Sequence, residues 1–412
     1  MSPPYYDIII VGSGMSGLYT AYKIKKNAPK TSFLILEKFK KQWLGGRTSN
    51  ESFYGVKIVT GAGIGRKDTN PLLIQLMNEL HIKFKEFTSV MDYSRLFQPI
   101  DIVKVIKYLK KVYKEHKPEK VTFKQFCIRI LGEKMYKQFT ISAGYTDYEN
   151  ADVYETLYNY GMDDNKGGWT GLYIPWKQLV DVLYEKIGSN HFKFHSNVVN
   201  IRKIEEEDLF EVSTENGKSY YCNKVVIAST ISTIQKLVSI KQNLYRQIHG
   251  QPFLRLYGKF TTKSATIMKE YVPHYTIVPG PLQKIIPMNA GKGVYMIAYS
   301  DNENAVLLQK HLKNTFENRN LYCRLIEKSL GITEGALQLT AIKDFYWPIV
   351  THYYEPLQKP FLNRDQFLKE AQHPEKNMLV VGEAVSRYQG WVEGALESVE
   401  SVVTKKWINT IV

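Results

Sequence analysis

Six residues near the N-terminus, Gly12-Ser13-Gly14-Met15-Ser16-Gly17, follow a β-branched apolar run, Asp7 to Val11. They lead into a stretch with helical spacing at Leu18, Ala21, Tyr22 and Ile24. A second apolar run, Thr31 to Leu36, ends at Glu37, 20 residues after Gly17. Strand, glycine-rich turn, helix, strand and acid in that order form a unit that binds a dinucleotide. Gly12 permits the tight turn, Gly14 lets the backbone approach a pyrophosphate, and Gly17 lets the helix pack on the strand. The turn and helix N-terminus, Ser13, Met15 and Ser16 included, present amide groups and the positive end of a dipole to the phosphates. Glu37 can accept hydrogen bonds from ribose hydroxyls.

Two further glycine-containing segments carry chemistry. Gly45-Gly46-Arg47-Thr48 comes shortly after the second apolar run. Near the C-terminus, the apolar run Met378 to Val381 meets Gly382-Glu383, and Gly390-Trp391-Val392-Glu393-Gly394-Ala395 opens a helix. A helix N-terminus there favours negative charge on whatever faces it.

Taken together, these segments resemble the flavin-containing amine oxidase family. The acid, short basic stretch and GGRT at 37–48, and the GE…GWVEGA pattern at 382–395, carry the resemblance. The loop from Glu37 to Gly45 is lengthened relative to the family. The resemblance implies FAD as cofactor, held by Gly12 to Gly17, by Glu37 and Lys38 on the adenosine side, and by Gly46 and Arg47 around the phosphates. Gly63 and Ile64 would pass the flavin ring. Val198 would meet the adenine through its backbone, Gly382 and Glu383 the ribityl or pyrophosphate part, and Trp391 and Val392 the ring. Gly167-Gly168-Trp169, Ile174-Pro175 and Leu179 resemble the element that returns the chain to the cofactor domain.

The same resemblance implies oxidation of an amine or amino acid. A hydride equivalent passes from carbon to flavin, and dioxygen reoxidises the flavin with release of hydrogen peroxide. Arg255, in QPFLRLYGKF, stands at the family's lysine position, with Lys259 one strand face further on. Trp391 matches one ring of an aromatic cage. The other ring falls on Trp347 or Tyr354 in one alignment and on Val350 in the other. Arg66, after Gly61-Ala62-Gly63-Ile64-Gly65, stands close to an arginine that binds the substrate carboxylate in L-amino-acid oxidases. Val59 replaces an acidic residue. Another member of the superfamily (a desaturase, a protoporphyrinogen-oxidase-like enzyme or a sugar-nucleotide mutase) and an FAD-binding interaction protein remain open. No cysteine lies in the segment 344–356 where the family tethers its flavin, so the FAD is expected to be non-covalent; His352 is the one conceivable tether there.

Behind these residues stands a chain of 412 residues, 44% hydrophobic and 23% charged, a globular composition that excludes a wholly disordered, collagenous or coiled-coil protein. Its net charge is +15. Residues 101–137 hold eleven lysines or arginines against four acids, five of the bases (Lys104, Lys107, Lys110, Lys111 and Lys114) on one helix face, which suits either solvent or an acidic macromolecular partner. Cys127, Cys222 and Cys323 are sparse and odd in number, which argues against a disulfide framework or a zinc site. No metal is expected. The N-terminus lacks the features of a secretory signal, and no apolar run is long enough to span a bilayer. A cytoplasmic or other reducing intracellular compartment is expected. The abundance of Lys, Ile, Tyr and Asn fits an AT-rich microbial or large-virus genome.

The cofactor motifs stand at both ends of the chain, so the elements that position them must form a discontinuous domain. The expected fold class is α/β, a Rossmann-like FAD-binding domain with an interleaved α+β substrate domain. The expected FAD-binding parts are 1–67, 168–249 and 344–412. The expected substrate parts are a helical insert, 68–167, and a sheet, 250–343. Helices are expected from Pro71 to about Leu80, from Asp101 to about His116 and around Asn304 to Asn314. Strands are expected at Phe253 to Phe260 and Gly293 to Tyr299.

Overall fold

Ile8, Ile9 and Ile10 are wholly buried, as are Leu34 and Ile35. Runs that are apolar on both faces make strands covered on both sides of a parallel sheet. In a computed structural model, which describes residues 4–116, 120–161 and 167–410, they do so. Lys117 and Glu119 of the lysine-rich segment, and part of the expected helical insert, lie outside the described residues.

The strand Tyr5–Val11 pairs in parallel with Phe33–Leu36 on one side and with residues 221–227 of Ser219–Ile227 on the other. Phe192–Lys193 extends the sheet beyond Phe33–Leu36. Ser219–Ile227 also takes Met378–Val380 as a parallel neighbour, and Leu209–Thr214 and Val198–Ile204 extend the other end. The helices Met15–Asn27, Trp176–Ile187 and Val392–Val402 cover one face, where Leu18, Ile24, Leu179, Leu183, Leu396 and Val399 share a core. Strands from residues 5–36, 192–227 and 378–380 thus lie in one sheet, the mixed α/β architecture expected from the motifs.

A second sheet runs in the order Leu339–Tyr354, Ile248–Phe260, Val294–Asp301, Lys284–Asn289, Tyr275–Ile277, Met91–Tyr93. One face carries Arg255, Tyr257, Met296 and Tyr299, with Tyr257 and Met296 packed on the hairpin Asn50–Phe53 and Val56–Val59; the opposite face packs Leu254, Leu256, Phe260 and Ile297 against the helix Phe316–Leu330. The helices Ile102–His116, Phe123–Leu131, Glu133–Ala143 and Val153–Tyr158 enclose a core of their own around Leu109, Phe123, Phe126 and Phe139. The lysine-rich helix follows the spacing: Ile102, Ile106, Leu109 and Val112 are buried, while Lys104, Lys107, Lys111 and Lys114 are exposed.

The structure departs from the expected elements in two places. The insert is not all helical. Lys85–Thr88 pairs with Thr170–Tyr173, which also holds Gly65–Arg66, and Met91–Tyr93 pairs with Tyr275–Ile277. Neither short strand alternates buried and exposed residues, so its pairing with distant chain left no period-two pattern. The expected helix around 304–314 is only Asn302–Leu308 and one further turn; the principal helix is Phe316–Leu330, with Thr315 accepting from Asn318 N and Gly331 ending it at φ 73°.

Trp176 ties the local fold to the site. It is fully buried, and its indole N–H donates to Gly63 O at 3.1 Å. Trp176→Ala removes a large core side chain and should cost about 3–5 kcal/mol. The check is the denaturant midpoint, which should fall clearly against wild type.

Candidate active site

The first turn of the dinucleotide unit is shaped by what each glycine must not carry. A Cβ on Gly12 would sit 2.4 Å from Ala228 O, and one on Gly17 would sit 2.0 Å from Gly12 O. A Cβ on Gly14 would meet nothing within 4 Å, and neither would one on Gly46. Gly12 and Gly17 are therefore fixed by packing, whereas Gly14 and Gly46 border open space, as a pyrophosphate cradle requires. Glu37 closes the other end. Its carboxylate accepts from Ser13 N at 2.8 Å, from Ser13 Oγ at 2.6 Å and from Phe39 N at 2.8 Å. Ser196 N donates to Glu37 O, which brings Val198, buried at the start of its strand, beside this end. Lys38 is exposed, with its ammonium over the Phe39 ring.

The GGRT loop is bonded to that turn: Gly45 N donates to Ser13 O at 3.0 Å. The C-terminal motif reaches it from the opposite side. A Cβ on Gly382 would stand 3.6 Å from Ser16 Oγ, and Met15 and Ser16 are buried beneath. Glu383 then accepts from His352 Nδ1 at 2.5 Å, Arg47 Nη1 at 3.1 Å and Gly390 N at 3.0 Å. Burial alone would push this carboxyl up. His352 and the Arg47 guanidinium overcome that and hold it down at about 2. His352 Nε2 accepts from Ile231 N, so both ring nitrogens are engaged. The histidine conceivable as a flavin tether has no nitrogen left to offer. Cys127, Cys222 and Cys323 are all buried in cores, with burial pushing each thiol up.

The segment 61–66 links cofactor and substrate sides. Arg255, buried on the second sheet, donates through Nε to Gly61 O at 2.9 Å and through Nη2 to Tyr299 Oη at 3.3 Å; its guanidinium also lies against Gly63. The Arg66 guanidinium is 4.1 Å from the centroid of the Trp169 ring and 5.7 Å from that of Trp391. Ile64, within the segment 61–66, is half-buried, and Trp391 is the N-cap of the helix that begins at Val392. Glu393 accepts from Leu72 N and Leu73 N, which fixes that helix to Pro71–Glu79.

The chain belongs to the flavin-containing amine oxidoreductase family.

The family profile matches residues 15–403. Among solved structures, cyclohexylamine oxidase from Brevibacterium oxydans superposes with a TM-score of 0.76 at 15% identity, covering 97% of this chain and 98% of that one. Wild-type putrescine oxidase bound to putrescine does so with a TM-score of 0.74 at 14% identity and the same coverage. No curated protein matches by sequence. The protein is an FAD-dependent oxidoreductase, and the open edges at Gly14 and Gly46 and the carboxylates of Glu37 and Glu383 fit that cofactor. No helix among the described residues is long and apolar enough to cross a membrane, and among them no group of His, Cys, Asp and Glu is arranged for a metal.

Tyr354 is not a cage wall. Its hydroxyl donates toward the Ala384 and Ser386 carbonyls, and its ring packs on Phe367 in the core. The other alignment's residue, Val350, offers its carbonyl to Arg47 Nη1. Trp347 is half-buried, its indole N–H on Thr60 O at 2.8 Å and its ring at the edge of Trp43. Several contributors escaped sequence reasoning: His352 as a partner of Glu383, Trp169 under Arg66, and Lys284 with Tyr145 and Tyr299. The sequence marks Trp169 and His352 only for other roles and Lys284 for none, because each acts here through a contact with chain far away.

Two outcomes follow from this geometry. Acid or heat precipitation should release the flavin into the supernatant; yellow colour retained by the precipitate would show a covalent bond. Glu383 has a folded value below its ordinary 4.5, so its stabilisation is present above about 4.5 and is lost as pH falls toward about 2. Glu383→Gln should unfold at a lower temperature than wild type at pH 7, and melting curves should converge at the acid end of that window.

Proposed function

We propose that this protein oxidises the C–N bond of a small amine or amino acid and uses dioxygen as the final acceptor. Bound FAD, held by the turn at Gly12 to Gly17, Glu37, Arg47 and Glu383, would supply the acceptor for a hydride equivalent from the carbon next to a neutral amine, and dioxygen would take up the electrons as hydrogen peroxide. The observation that carries the reading is the placement of Arg255, Arg66 and Trp391 around the segment 61–66, the stretch that passes the flavin in the family.

The protein's own groups supply orientation and a dry setting. Arg255 holds the 61–63 backbone and, as a permanent cation, does not act as a base. Trp391 presents a ring beside the Arg66 guanidinium, so the aromatic face and a positive charge stand together. That pairing suits a substrate with an anionic group next to its amine, since a carboxylate can meet Arg66 while the apolar part lies on the ring. The resulting imine leaves for water and hydrolyses.

The test is peroxide release from a panel of monoamines, diamines and L-amino acids, paired with anaerobic bleaching of the flavin band. Amino acids are expected to bleach it. Arg66→Met should raise the KM for amino acids by roughly 10- to 100-fold, the loss of one charge-assisted hydrogen bond, and leave the KM for simple amines within a few-fold. An equal effect on both classes would remove Arg66 from carboxylate recognition.

A further inference from the structure

The helix Ile102–His116 carries five lysines against one acid, Glu115, a share of the chain's +15 that amine oxidation does not use. Ile102, Ile106, Leu109 and Val112 are buried in the core of the insert, so the opposite arc of the helix faces outward. Lys104, Lys107, Lys111 and Lys114 follow one another at intervals of three, four and three residues. That spacing sets them on the outward arc as a track about 15 Å long. All four are exposed. Lys104 approaches Asp101 at 3.6 Å and Lys111 approaches Glu115 at 3.8 Å, both pairs open to solvent. Exposed pairs of this kind are weak, so the track keeps its positive field.

Tyrosines border the track on both flanks. Tyr108 is 51% exposed and lies one turn after Lys104 and one turn before Lys111. On the opposite flank, Lys110 Nζ stands 5.2 Å from the centroid of the Tyr158 ring, on the neighbouring helix Val153–Tyr158. The Tyr158 ring is 4.8 Å from that of Tyr154, which is 47% exposed. Lysines interleaved with exposed rings suit a flexible chain of phosphates whose bases are free to stack. A bilayer suits them less. A helix that docks on a membrane offers it an apolar face, and the apolar face here is committed to the core around Leu109 and Phe126. An acidic protein would engage the lysines but leave the rings without a use.

We propose that the outward face of this helix binds single-stranded nucleic acid, with the backbone running along Lys104, Lys107, Lys111 and Lys114 and bases stacking on Tyr108 and Tyr154. None of these residues holds the cofactor or lies at the substrate side described above, so the surface stands apart from the amine-oxidising reading.

The test is fluorescence anisotropy of a labelled deoxythymidine oligomer, titrated with the full-length, FAD-loaded protein at rising salt. The logarithm of the binding constant should fall against that of salt with a slope of about −3, from four phosphate contacts in a single strand. Replacing Lys104, Lys107, Lys111 and Lys114 together by Gln should flatten that slope and weaken binding at low salt by roughly tenfold or more. Tyr108→Ala should keep the slope and weaken binding roughly 5- to 100-fold. The same loss of four charges at exposed Lys263, Lys269, Lys310 and Lys313 should change little. The flavin spectrum and melting temperature show that each variant is folded. A uridine oligomer run in parallel distinguishes RNA from DNA as the preferred strand, and tighter binding of either supports the proposal. Wild type that does not bind the oligomers, an equal loss in the Lys263 to Lys313 variant, or an unchanged affinity in Tyr108→Ala overturns it. Tighter binding to phosphatidylserine vesicles or to polyglutamate than to the oligomers also overturns it, and assigns the surface to a membrane or to an acidic protein.

Discussion

The Glu383 carboxylate is where three distant stretches of chain meet. Arg47 arrives from the loop after the second strand, His352 from the long strand of the second sheet, and Gly390 from the turn before the last helix. A buried anion must be paired and hydrogen-bonded to be tolerated, and here each partner comes from a different segment. His352 in turn accepts from Ile231 N, after the strand Ser219–Ile227. Loss of this carboxylate would leave an imidazole N–H without an acceptor and Arg47 joined to the second-sheet strand through the Val350 carbonyl alone, so the contact between the cofactor turn and that strand would loosen.

The second sheet depends on that joint for its placement. Leu339–Tyr354 carries His352 toward Glu383 and, in antiparallel register, sets Phe345 opposite Arg255 on the strand Ile248–Phe260. The next strand sets Tyr299 opposite Arg255. A cation on each of two strands, both resting on the Tyr299 ring, follows from that register. One of the two, Arg255, bonds the Gly61 carbonyl; the other, Lys284, has no hydrogen-bond partner among the described residues, and burial lowers its hold on a proton. Their surroundings differ, although both side chains are basic and on one sheet.

The cofactor half of the site is legible in sequence because its determinants are local. Gly14 and Gly17 do their work within a single strand–turn–helix unit, while the glycine at 12 also gives way to the Ala228 carbonyl beyond the neighbouring strand; the spacing that marks all three is nonetheless local. The packing at Gly12 and Gly17 and the open space at Gly14 are what the spacing implies. The substrate half is set by register between strands tens of residues apart, and sequence spacing carries no register. Tyr354 illustrates this. Its position in an aromatic cluster suggests a cage ring, but the pleat turns it into the core against Phe367, while its neighbours Val350 and His352 serve Arg47 and Glu383 through a backbone carbonyl and a ring nitrogen. Lys284 is equally silent, since a lysine before an apolar run reads as a solvated strand end until Tyr145 and Tyr299 are seen to close over it.

The altered cage bears on what can bind. An aromatic face attracts a cation through its quadrupole, and a face already met by a guanidinium has less left to offer a substrate ammonium. With Arg66 beside Trp391, electrostatic attraction at this ring passes from cations to anions. A substrate ammonium brought near Arg66 and Arg255 is repelled by both, and that repulsion lowers its proton affinity. If the substrate binds beside them as proposed, these positive groups would work in one direction, favouring a carboxylate and disfavouring the charged amine. On the proposed amine-oxidising reading, such a pocket would favour the neutral amine that the oxidation requires, without the paired rings on which a simple amine would otherwise be guided.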